Sequence, residues 1–368
     1  MADLFWPGDE RALTAFDQGS FLETMVEVEI AWLQVLRKDG APVVDDAEDW
    51  ELVTADDLDQ VALAAEAGGN PVIPLVDLMR ARLRERGASG AADWLHRGLT
   101  SQDVMDTAMV LCARAVAGGV LRDLDALVAS LVALADRHRD DVMIGRTLTQ
   151  HAKPITFGLK AAQWLQGVLD ARDQVRALRW PGQFAGPVGL GLPQAAGASA
   201  ALGLDDVPPW HTVRTPFTRY ADALVATTDA LGHVADDVLV GARSEIGEIA
   251  EPAGDGRGGS SSMPHKQNPV LSVLVRRAAL TLPGLAAQVH LAAADTRDER
   301  PDGAWHTEWS TLATMSRRTL VAASQAAELV GGLRVDTARM AALAGADAPA
   351  DTWHTIDRIL RRARENTA

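Results

Sequence analysis

Long runs of apolar residues at helical spacing constrain this chain more than any other feature of its sequence. Between residues 103 and 139, apolar residues recur every three or four positions, at Val116, Val120, Leu124, Leu127, Leu131 and Leu134. This spacing predicts a helix long enough for a bundle. Four more such runs cover residues 154–178, 219–241, 268–294 and 311–329, and Pro283 is expected to bend the third of these. Because no convincing set of alternating strands accompanies them, the sequence predicts an all-α fold around an extended bundle of long helices.

Shorter elements flank the predicted bundle. Residues 18–38 have the spacing of an amphipathic helix, and another helix near residues 75–86 is expected to end at Gly87. We therefore predict a small N-terminal helical domain over residues 1–102 and the bundle over residues 103–335. Residues 336–368 leave room for two short helices, as in a truncated C-terminal helical domain.

Charge and composition argue against several classes of function. The chain has 50 acidic and 35 basic residues and a net charge of −15, which argues against nucleic acid or an anionic membrane as a partner. We expect no membrane helix, since no stretch approaches the roughly 20 apolar residues that one needs. The N-terminus lacks a signal-peptide pattern. A cytoplasmic location is therefore expected. The single cysteine, Cys112, lies in an apolar run and is expected to be buried.

Four polar segments at the ends of predicted helices carry the candidate chemistry. The first, residues 96–103 (HRGLTSQD), has hydroxyls that could cap a helix or hold an anion at its N-terminus. The second, residues 145–154 (GRTLTQHAKP), is a basic turn in which Pro154 is expected to start the next helix. In the fourth, residues 297–309 (RDERPDGAWHTEW), two tryptophans and a histidine follow a charged turn, and Trp309 is expected to pack beneath the bundle.

The third segment, residues 254–269 (GDGRGGSSSMPHKQNP), is the most informative. A Ser-rich linker would explain its glycines and serines but not the sequence MPHKQNP that follows them. Glycines let backbone N–H groups approach a ligand closely, and a lysine with an amide can hold a carboxylate. A serine in such a nest can exchange a proton with carbon if its alkoxide is stabilised there.

The order and spacing of these segments resemble the fumarase/aspartase superfamily over about residues 10–335. The family pattern G-S-S-x-M-P-x-K-x-N-P is matched at Gly259, Ser260, Ser261, Met263, Pro264, Lys266, Asn268 and Pro269. The resemblance implies an enzyme without cofactor or metal, in which Ser260 exchanges the Cα proton. It also implies that Lys266 and Asn268 bind the substrate carboxylate and stabilise an aci-carboxylate intermediate. Members of the family are homotetramers, and each active site takes segments from three subunits.

One position within the second segment narrows the choice of reaction. Lyases that expel an amine or hydroxyl commonly carry T-H-x-Q-x-A-x-P; here Leu148 stands at the histidine position, although Thr147, Gln150, Ala152 and Pro154 match. Leucine cannot donate a proton, but a carboxylate leaving group needs none, since its conjugate acid has a pKa near ~4. This favours the 3-carboxy-cis,cis-muconate cycloisomerase branch, in which a substrate carboxylate adds across a double bond to close a lactone. Residues 98–107, 210–214 and 303–309 also resemble that branch.

The resemblance implies a site for a small tricarboxylate. The residues expected to be catalytic are Ser260, Lys266 and His96. Those expected to bind substrate are Thr100, Ser101, Gln102, Arg146, Thr147, Gln150, Arg214, Ser261, Met263 and Asn268. Which of the histidines His96, His151, His265 and His306 takes part in proton transfer stays open, and metal binding by them is not expected.

Two alternatives remain open. Adenylosuccinate lyase, or a related β-elimination lyase, is supported by His96 and by the shared sequence MPHK. A non-catalytic structural homologue is supported by the short C-terminal region but disfavoured by the intact Ser260, Lys266 and Asn268. The chain also departs from the family in that residues 186–190 lack the threonine usual in G-G-A-x-G-T, a difference that bears on how the site is closed.

Overall fold

Four helices precede the bundle in the structure, a computed structural model that describes residues 3–43, 52–252, 254, 256–263, 266–345, 347 and 352–365. They are α1 (Gln18–Lys38), α2 (Leu58–Gly68), α3 (Val72–Glu85) and α4 (Ser89–Trp94), with short 3-10 helices at Asp9–Ala12 and Ala55–Asp57. The structure confirms α1 at its predicted bounds. Helix α3 begins earlier than predicted, and Gly87 follows it with a φ of 80°, a left-handed conformation that glycine adopts without strain.

The long apolar runs form the predicted bundle. Its helices are α5 (Ser101–Arg137), α6 (Phe157–Arg176), α8 (Thr215–Gly241), α9 (Val270–Ala294) and α10 (Gly303–Gly331), and the short α7 (Ala195–Ala201) interrupts the connection between α6 and α8. Each long helix packs on its neighbours, so that α5, α6, α8, α9 and α10 enclose one core. Leu124, Leu127 and Leu131 of α5 are fully buried in it. The prediction of an all-α fold is confirmed.

A β-hairpin lies where the sequence predicted a simple turn between α5 and α6. Strands β1 (Val142–Thr147) and β2 (Gln150–Thr156) pair antiparallel, with a register shift at Gly145. A Cβ atom on Gly145 would lie 2.8 Å from the carbonyl oxygen of Lys153, so glycine is required there. The prediction that Pro154 starts the next helix was wrong: Pro154 lies within β2, and α6 begins at Phe157 with Thr156 as its N-cap.

Two short helices follow the bundle, as the remaining length predicts: α11 (Thr337–Ala344) and α12 (Thr352–Glu365). Strands β3 (Ile249–Ala250) and β4 (Arg334–Val335) pair antiparallel just before α11. Helix α11 packs against β1, and α12 packs on α6 and α5. Since α1 also packs directly on α5, the division into domains at residues 102 and 335 stays a prediction.

Two helices among the described residues, α5 and α9, are long and apolar enough to cross a membrane by length and composition alone. The prediction that no stretch approaches this limit was therefore wrong. Most of the apolar window of α5, 78%, is buried inside the protein, as expected for the core helix of a bundle. In α9 only 33% of that window is buried, and Val273, Leu280 and Leu291 are exposed on its surface.

Candidate active site

The predicted site residues lie at two opposite ends of the bundle. Helix α5 starts beside the first segment and ends just before the hairpin, and its 37 residues span about 55 Å at 1.5 Å per residue. Helix α10 connects the same two ends: Trp305 near its start bonds to Asp106 of α5, and Glu328 near its end bonds to Arg257. One chain therefore does not bring all the predicted residues together. At one end lie His96, Thr100, Ser101, Gln102 and Arg214, and at the other lie Arg146, Thr147, Gln150, Ser260, Ser261, Met263, Lys266 and Asn268.

Ser260 lies in a nest of backbone N–H groups. Its Oγ accepts hydrogen bonds from the backbone nitrogens of Met263 at 3.2 Å and of Ser262 at 3.4 Å. Two donors that converge on one oxygen favour its charged form, so this geometry suits a serine whose alkoxide must be stabilised. The remaining predicted residues of the loop, Ser261, Met263 and Lys266, are exposed. Pro264 and His265 lie outside the described residues.

The two ends of this loop are joined at its neck. The carbonyl oxygen of Gly258 accepts from the backbone N–H of Asn268 at 2.8 Å and from its side-chain Nδ2 at 3.0 Å. A Cβ atom on Gly258, whose φ is 78°, would lie 2.7 Å from the carbonyl oxygen of Asn268, so glycine is required at this contact. Asn268 thus closes the base of the loop with its amide nitrogen, which leaves its side-chain oxygen for other contacts.

A carboxylate that the sequence did not single out anchors the neck. Arg257 donates from Nη1 to Oε1 of Glu328, and Arg11 donates from Nη2 to Oε2 of the same residue, both at 2.5 Å. Burial raises the pKa of Glu328, but the hydrogen bonds and charges of Arg11 and Arg257 outweigh it and leave the pKa below its ordinary value. The N-terminal segment, α10 and the Ser260 loop are therefore connected through one ionised side chain.

The hairpin presents its motif residues at a strained tip. Leu148 and Thr149 form the two-residue turn with φ values of 49° and 70°, a left-handed region that is unfavourable for a leucine and more so for a β-branched threonine. Leu148 is 96% exposed, and Thr147 and Gln150 beside it are also exposed. Where related lyases carry a histidine, this chain thus presents an apolar side chain to its surroundings.

A cavity of about 810 Å³ lies beside the hairpin, and Arg146, Thr147, His151 and Lys153 are among its lining residues. Arg146 donates from Nη1 to Glu248 at 2.8 Å, whereas its Nη2 is buried and has no partner among the described residues. The basic side chains that line the cavity outnumber its two acidic ones, Asp237 and Glu248, so the cavity suits an anionic group. Another cavity of the same volume lies between α6, the 205–216 segment and α8, and none of the predicted site residues lines it.

At the other end of the bundle, the first segment caps α5. The backbone N–H of Thr100 donates to Oδ2 of Asp103 at 3.0 Å, and Thr100 Oγ1 accepts from Arg300 at 2.9 Å. The capping interpretation of this segment is therefore right for Thr100, while Ser101 in the first turn of α5 is half-buried. His96 precedes the cap with a φ of 62°, and its Nδ1 lies 2.5 Å from Oε1 of Glu29.

A buried polar network lies beneath this segment. Asp103 accepts from the backbone nitrogens of Ala185 at 2.8 Å and Gly186 at 3.0 Å, and its Oδ1 lies 2.9 Å from Nε2 of His211. Gln102 is fully buried and donates to Asp106 at 3.1 Å and to the carbonyl oxygen of His211 at 3.0 Å. The network attaches the long 177–214 connection to the start of α5.

Arg214 lies at the centre of the same network. It donates to Asp106 at 2.7 and 2.9 Å and to Glu308 at distances down to 2.6 Å, and all three side chains are buried. Burial lowers the pKa of Arg214, but the charges of Asp106 and Glu308 outweigh it and raise that pKa; burial also raises the pKa of Glu308. Gln102 and Arg214 were predicted to bind substrate. Because neither has exposed surface with which to do so, we assign both to the scaffold of the site.

Sequence reasoning missed the acidic members of this network, Asp103, Asp106 and Glu308. A signal was present, since Asp103 and Asp106 lie three positions apart near the start of a long apolar helix, where an ionised group must find partners inside the protein. Trp309 packs edge-on against Trp305, with ring centroids 4.7 Å apart, in agreement with its predicted structural role. Cys112 is buried, as predicted, and burial raises the pKa of its thiol to about 11.

Comparison with known proteins extends these findings. Residues 88–284 match the model of a family described as Lyase. The nitrosuccinate lyase of Streptomyces davaonensis is 40% identical over 350 residues, which cover 89% of this chain and 73% of that protein. The 3-carboxy-cis,cis-muconate cycloisomerase of Bradyrhizobium diazoefficiens is 38% identical over 341 residues, which cover 89% of this chain and 75% of that protein. The crystal structure of 3-carboxy-cis,cis-muconate lactonizing enzyme from Pseudomonas putida matches with a TM-score of 0.82 at 29% identity, over 96% of this chain and 85% of that one.

Proposed function

Because this chain belongs to the fumarase/aspartase superfamily of lyases, we propose that it is a 3-carboxy-cis,cis-muconate cycloisomerase of the protocatechuate branch of the β-ketoadipate pathway. The observation that carries the proposal is Leu148 at the exposed tip of the hairpin. A reaction served by this tip cannot take a proton from the residue at this position, because leucine has none to give. Addition or loss of a carboxylate needs no such donor, because the group is ionised at neutral pH.

The proposed reaction closes a lactone within the substrate. A carboxylate oxygen of the tricarboxylate adds to one carbon of a C=C bond, and Ser260 gives its proton to the neighbouring carbon, which lies next to another carboxylate. The backbone N–H groups of Ser262 and Met263 then stabilise the Ser260 alkoxide. Lys266 is proposed to bind the carboxylate whose charge grows as the enolate-like intermediate forms, and the free oxygen of Asn268 to orient it. No cofactor is assigned a role in these steps.

A second candidate is supported by the match to nitrosuccinate lyase. Elimination from a nitrosuccinate would release nitrite, which is a weakly basic anion like a carboxylate and also leaves without an acid. Leu148 is therefore compatible with both reactions. It disfavours the adenylosuccinate lyase alternative, in which an amine must be protonated as it leaves, and the intact Ser260, Lys266 and Asn268 disfavour a non-catalytic role.

The division of the site residues between two ends of the bundle supports a shared active site. Ser260 and His96 lie tens of ångströms apart in one chain, since α5 alone separates the two ends by about 55 Å. We propose a homotetramer in which each site takes its first segment, its hairpin and its Ser260 loop from three subunits. The exposed apolar residues of α9, Val273, Leu280 and Leu291, are suited to such an interface. A cytoplasmic location is proposed with it.

Turnover of three substrates tests the proposal. The purified protein is assayed for loss of 3-carboxy-cis,cis-muconate absorbance, for nitrite release from nitrosuccinate, and for fumarate release from adenylosuccinate. We expect kcat/KM for 3-carboxy-cis,cis-muconate to exceed the other two by at least about a hundredfold, a difference in transition-state binding of roughly 3 kcal/mol. Faster turnover of nitrosuccinate would establish the second candidate, and turnover of adenylosuccinate would overturn both.

A further inference from the structure

We infer that Glu29 is a positioning residue of the active site, which holds the ring of His96 through Nδ1 so that Nε2 is the nitrogen presented to the substrate. The inference rests on the proposed function, in which His96 belongs to the site. Glu29 lies on α1 and belongs to none of the four polar segments. It acts on the substrate only through His96.

The burial of Glu29 makes this pair different from a surface ion pair. Its side chain is fully buried, and Oε1 lies 2.5 Å from Nδ1 of His96. The other oxygen, Oε2, is buried and has no partner among the described residues. A buried carboxylate with a single partner depends on that partner for its stabilisation. A carboxylate is an acceptor, so the proton of the pair belongs on Nδ1.

The backbone around His96 is held independently of this contact. Trp32 of α1 donates from Nε1 to the carbonyl oxygen of Arg97, and Arg80 of α3 donates to the carbonyl oxygen of Leu95, both at 2.9 Å. His96 itself has a φ of 62°, a left-handed conformation that persists when the surrounding structure enforces it. These contacts fix the backbone on both sides of His96. What the carboxylate of Glu29 determines is therefore the rotation of the imidazole ring.

The other side of the ring is partly open to solvent. The His96 side chain is 19% exposed, so the ring extends from the buried Glu29 toward solvent. In the same segment of chain, Arg97 stacks on Trp94, and Arg300 donates to Thr100 at the start of α5. These basic side chains suit the carboxylates of the proposed substrate. With Nδ1 engaged, only Nε2 is available to them.

A double-mutant cycle on activity tests the inference. Glu29→Leu and His96→Asn are made singly and together, since leucine cannot accept from Nδ1 and asparagine tolerates the left-handed backbone of His96. We expect Glu29→Leu to lower kcat/KM for 3-carboxy-cis,cis-muconate by about tenfold or more in the wild-type background and by less than about twofold in the His96→Asn background. Equal losses in both backgrounds would show that Glu29 acts independently of His96 and would overturn the inference.

Asp57→Asn is the matched control, because Asp57 is a buried carboxylate of the same region that pairs with Arg82 and does not contact His96. It should lower thermal stability without changing kcat/KM by more than about twofold. A larger loss of activity in this control would mean that any damage to the N-terminal region has the same effect, which contradicts a specific role for Glu29.

A second readout needs no substrate and therefore separates this inference from the proposed function. Crystal structures of the wild type and of Glu29→Gln and Glu29→Leu show the orientation of the His96 ring directly. We expect the ring to turn to a different rotamer in Glu29→Leu and to stay in place in Glu29→Gln, whose amide oxygen can still accept from Nδ1. An unchanged ring in Glu29→Leu would overturn the inference even if the enzyme turned over its proposed substrate.

Discussion

Arg257, at the entrance to the Ser260 loop, is paired at 2.5 Å with Glu328 near the end of α10. Arg11 binds the other oxygen of the same carboxylate, so the loop is fastened both to the bundle and to the N-terminal segment. The loop itself extends outward from this neck, and Ser261 and Lys266 are exposed in the single chain. The position of the proposed proton donor therefore depends on a few contacts at its base.

We expect Glu328→Gln to lower kcat/KM by about tenfold, because a small displacement of the loop moves Ser260 away from the substrate carbon. The side chains of the cluster are partly exposed, so the loss of unfolding free energy should be only about 1 kcal/mol. Steady-state kinetics and urea unfolding measure the two effects. Asp93→Asn, which breaks an exposed ion pair with Arg84, is the control and should change neither.

The same cluster predicts a pH dependence of stability. The pKa of Glu328 is lowered in the folded protein, so its contribution is fully present above the ordinary glutamate pKa and is lost as the pH falls through the lowered value. The difference in melting temperature between wild type and Glu328→Gln should therefore be constant near neutral pH and shrink at acidic pH. A difference that grows on acidification would contradict the ion pairs.

Strain at the hairpin tip predicts that a substitution there stabilises the protein. Thr149→Gly should raise the unfolding free energy by about 1 kcal/mol, because glycine adopts the left-handed backbone without the steric cost that threonine incurs. Thr147→Gly, two positions away in the extended strand β1, is the matched control and should be destabilising by a similar amount. If both variants lose stability, the tip is not strained.

Removal of Arg214 tests whether the buried network is scaffold. Arg214→Met leaves Asp106 and Glu308 buried without their cation, and we expect a loss of about 3–5 kcal/mol in unfolding free energy. Thermal and urea unfolding measure it. Arg179→Met, which removes an arginine from an exposed pair with Asp205, should cost no more than about 1 kcal/mol. Similar stabilities for the two variants would return Arg214 to the list of candidate substrate ligands.

Mixed oligomers test the shared site. Ser260→Ala and His96→Asn chains are each expected to have little activity, but in a tetramer they can place an intact Ser260 and an intact His96 in the same site. Refolding the two chains together in equal amounts should restore activity to about a quarter of the wild-type value, the statistical share of sites with both groups intact. Separately refolded chains serve as the control. A mixture as inactive as its components would indicate sites built from one chain.

The helices could be predicted because the residues that they bury recur in the sequence with the period of a helix. Leu124, Leu127 and Leu131 repeat at helical spacing, and all are in the core. The hairpin has no such pattern. Residues 147 and 150–153 are exposed, so its strands do not alternate between apolar and polar residues. Proline is common at the start of a helix, and this favours the wrong prediction for Pro154. An edge strand such as β2 tolerates proline equally well.

The site could be predicted in its motifs but not in its arrangement. Ser260 and its nest of N–H groups are local, and the pattern around Gly258 and Gly259 anticipates them. The role of Gln102 depends on a contact with His211, which lies 109 residues away in the chain. That of Arg214 depends on Asp106 and Glu308, which lie 108 and 94 residues away and are invisible to local spacing. Motif membership therefore indicates that a residue matters near the site, but only burial shows whether it can touch a ligand.

We propose that Ser260 supplies the proton in a reaction whose other partner is a carboxylate. The most direct measurement is the loss of 3-carboxy-cis,cis-muconate absorbance with wild type and with Ser260→Ala at equal concentration. We expect the wild type to turn over and kcat of Ser260→Ala to fall by at least about a hundredfold, with its melting temperature unchanged, since general acid–base groups contribute about 10²–10⁴ in rate. Equal rates for the two proteins would contradict the assignment of Ser260.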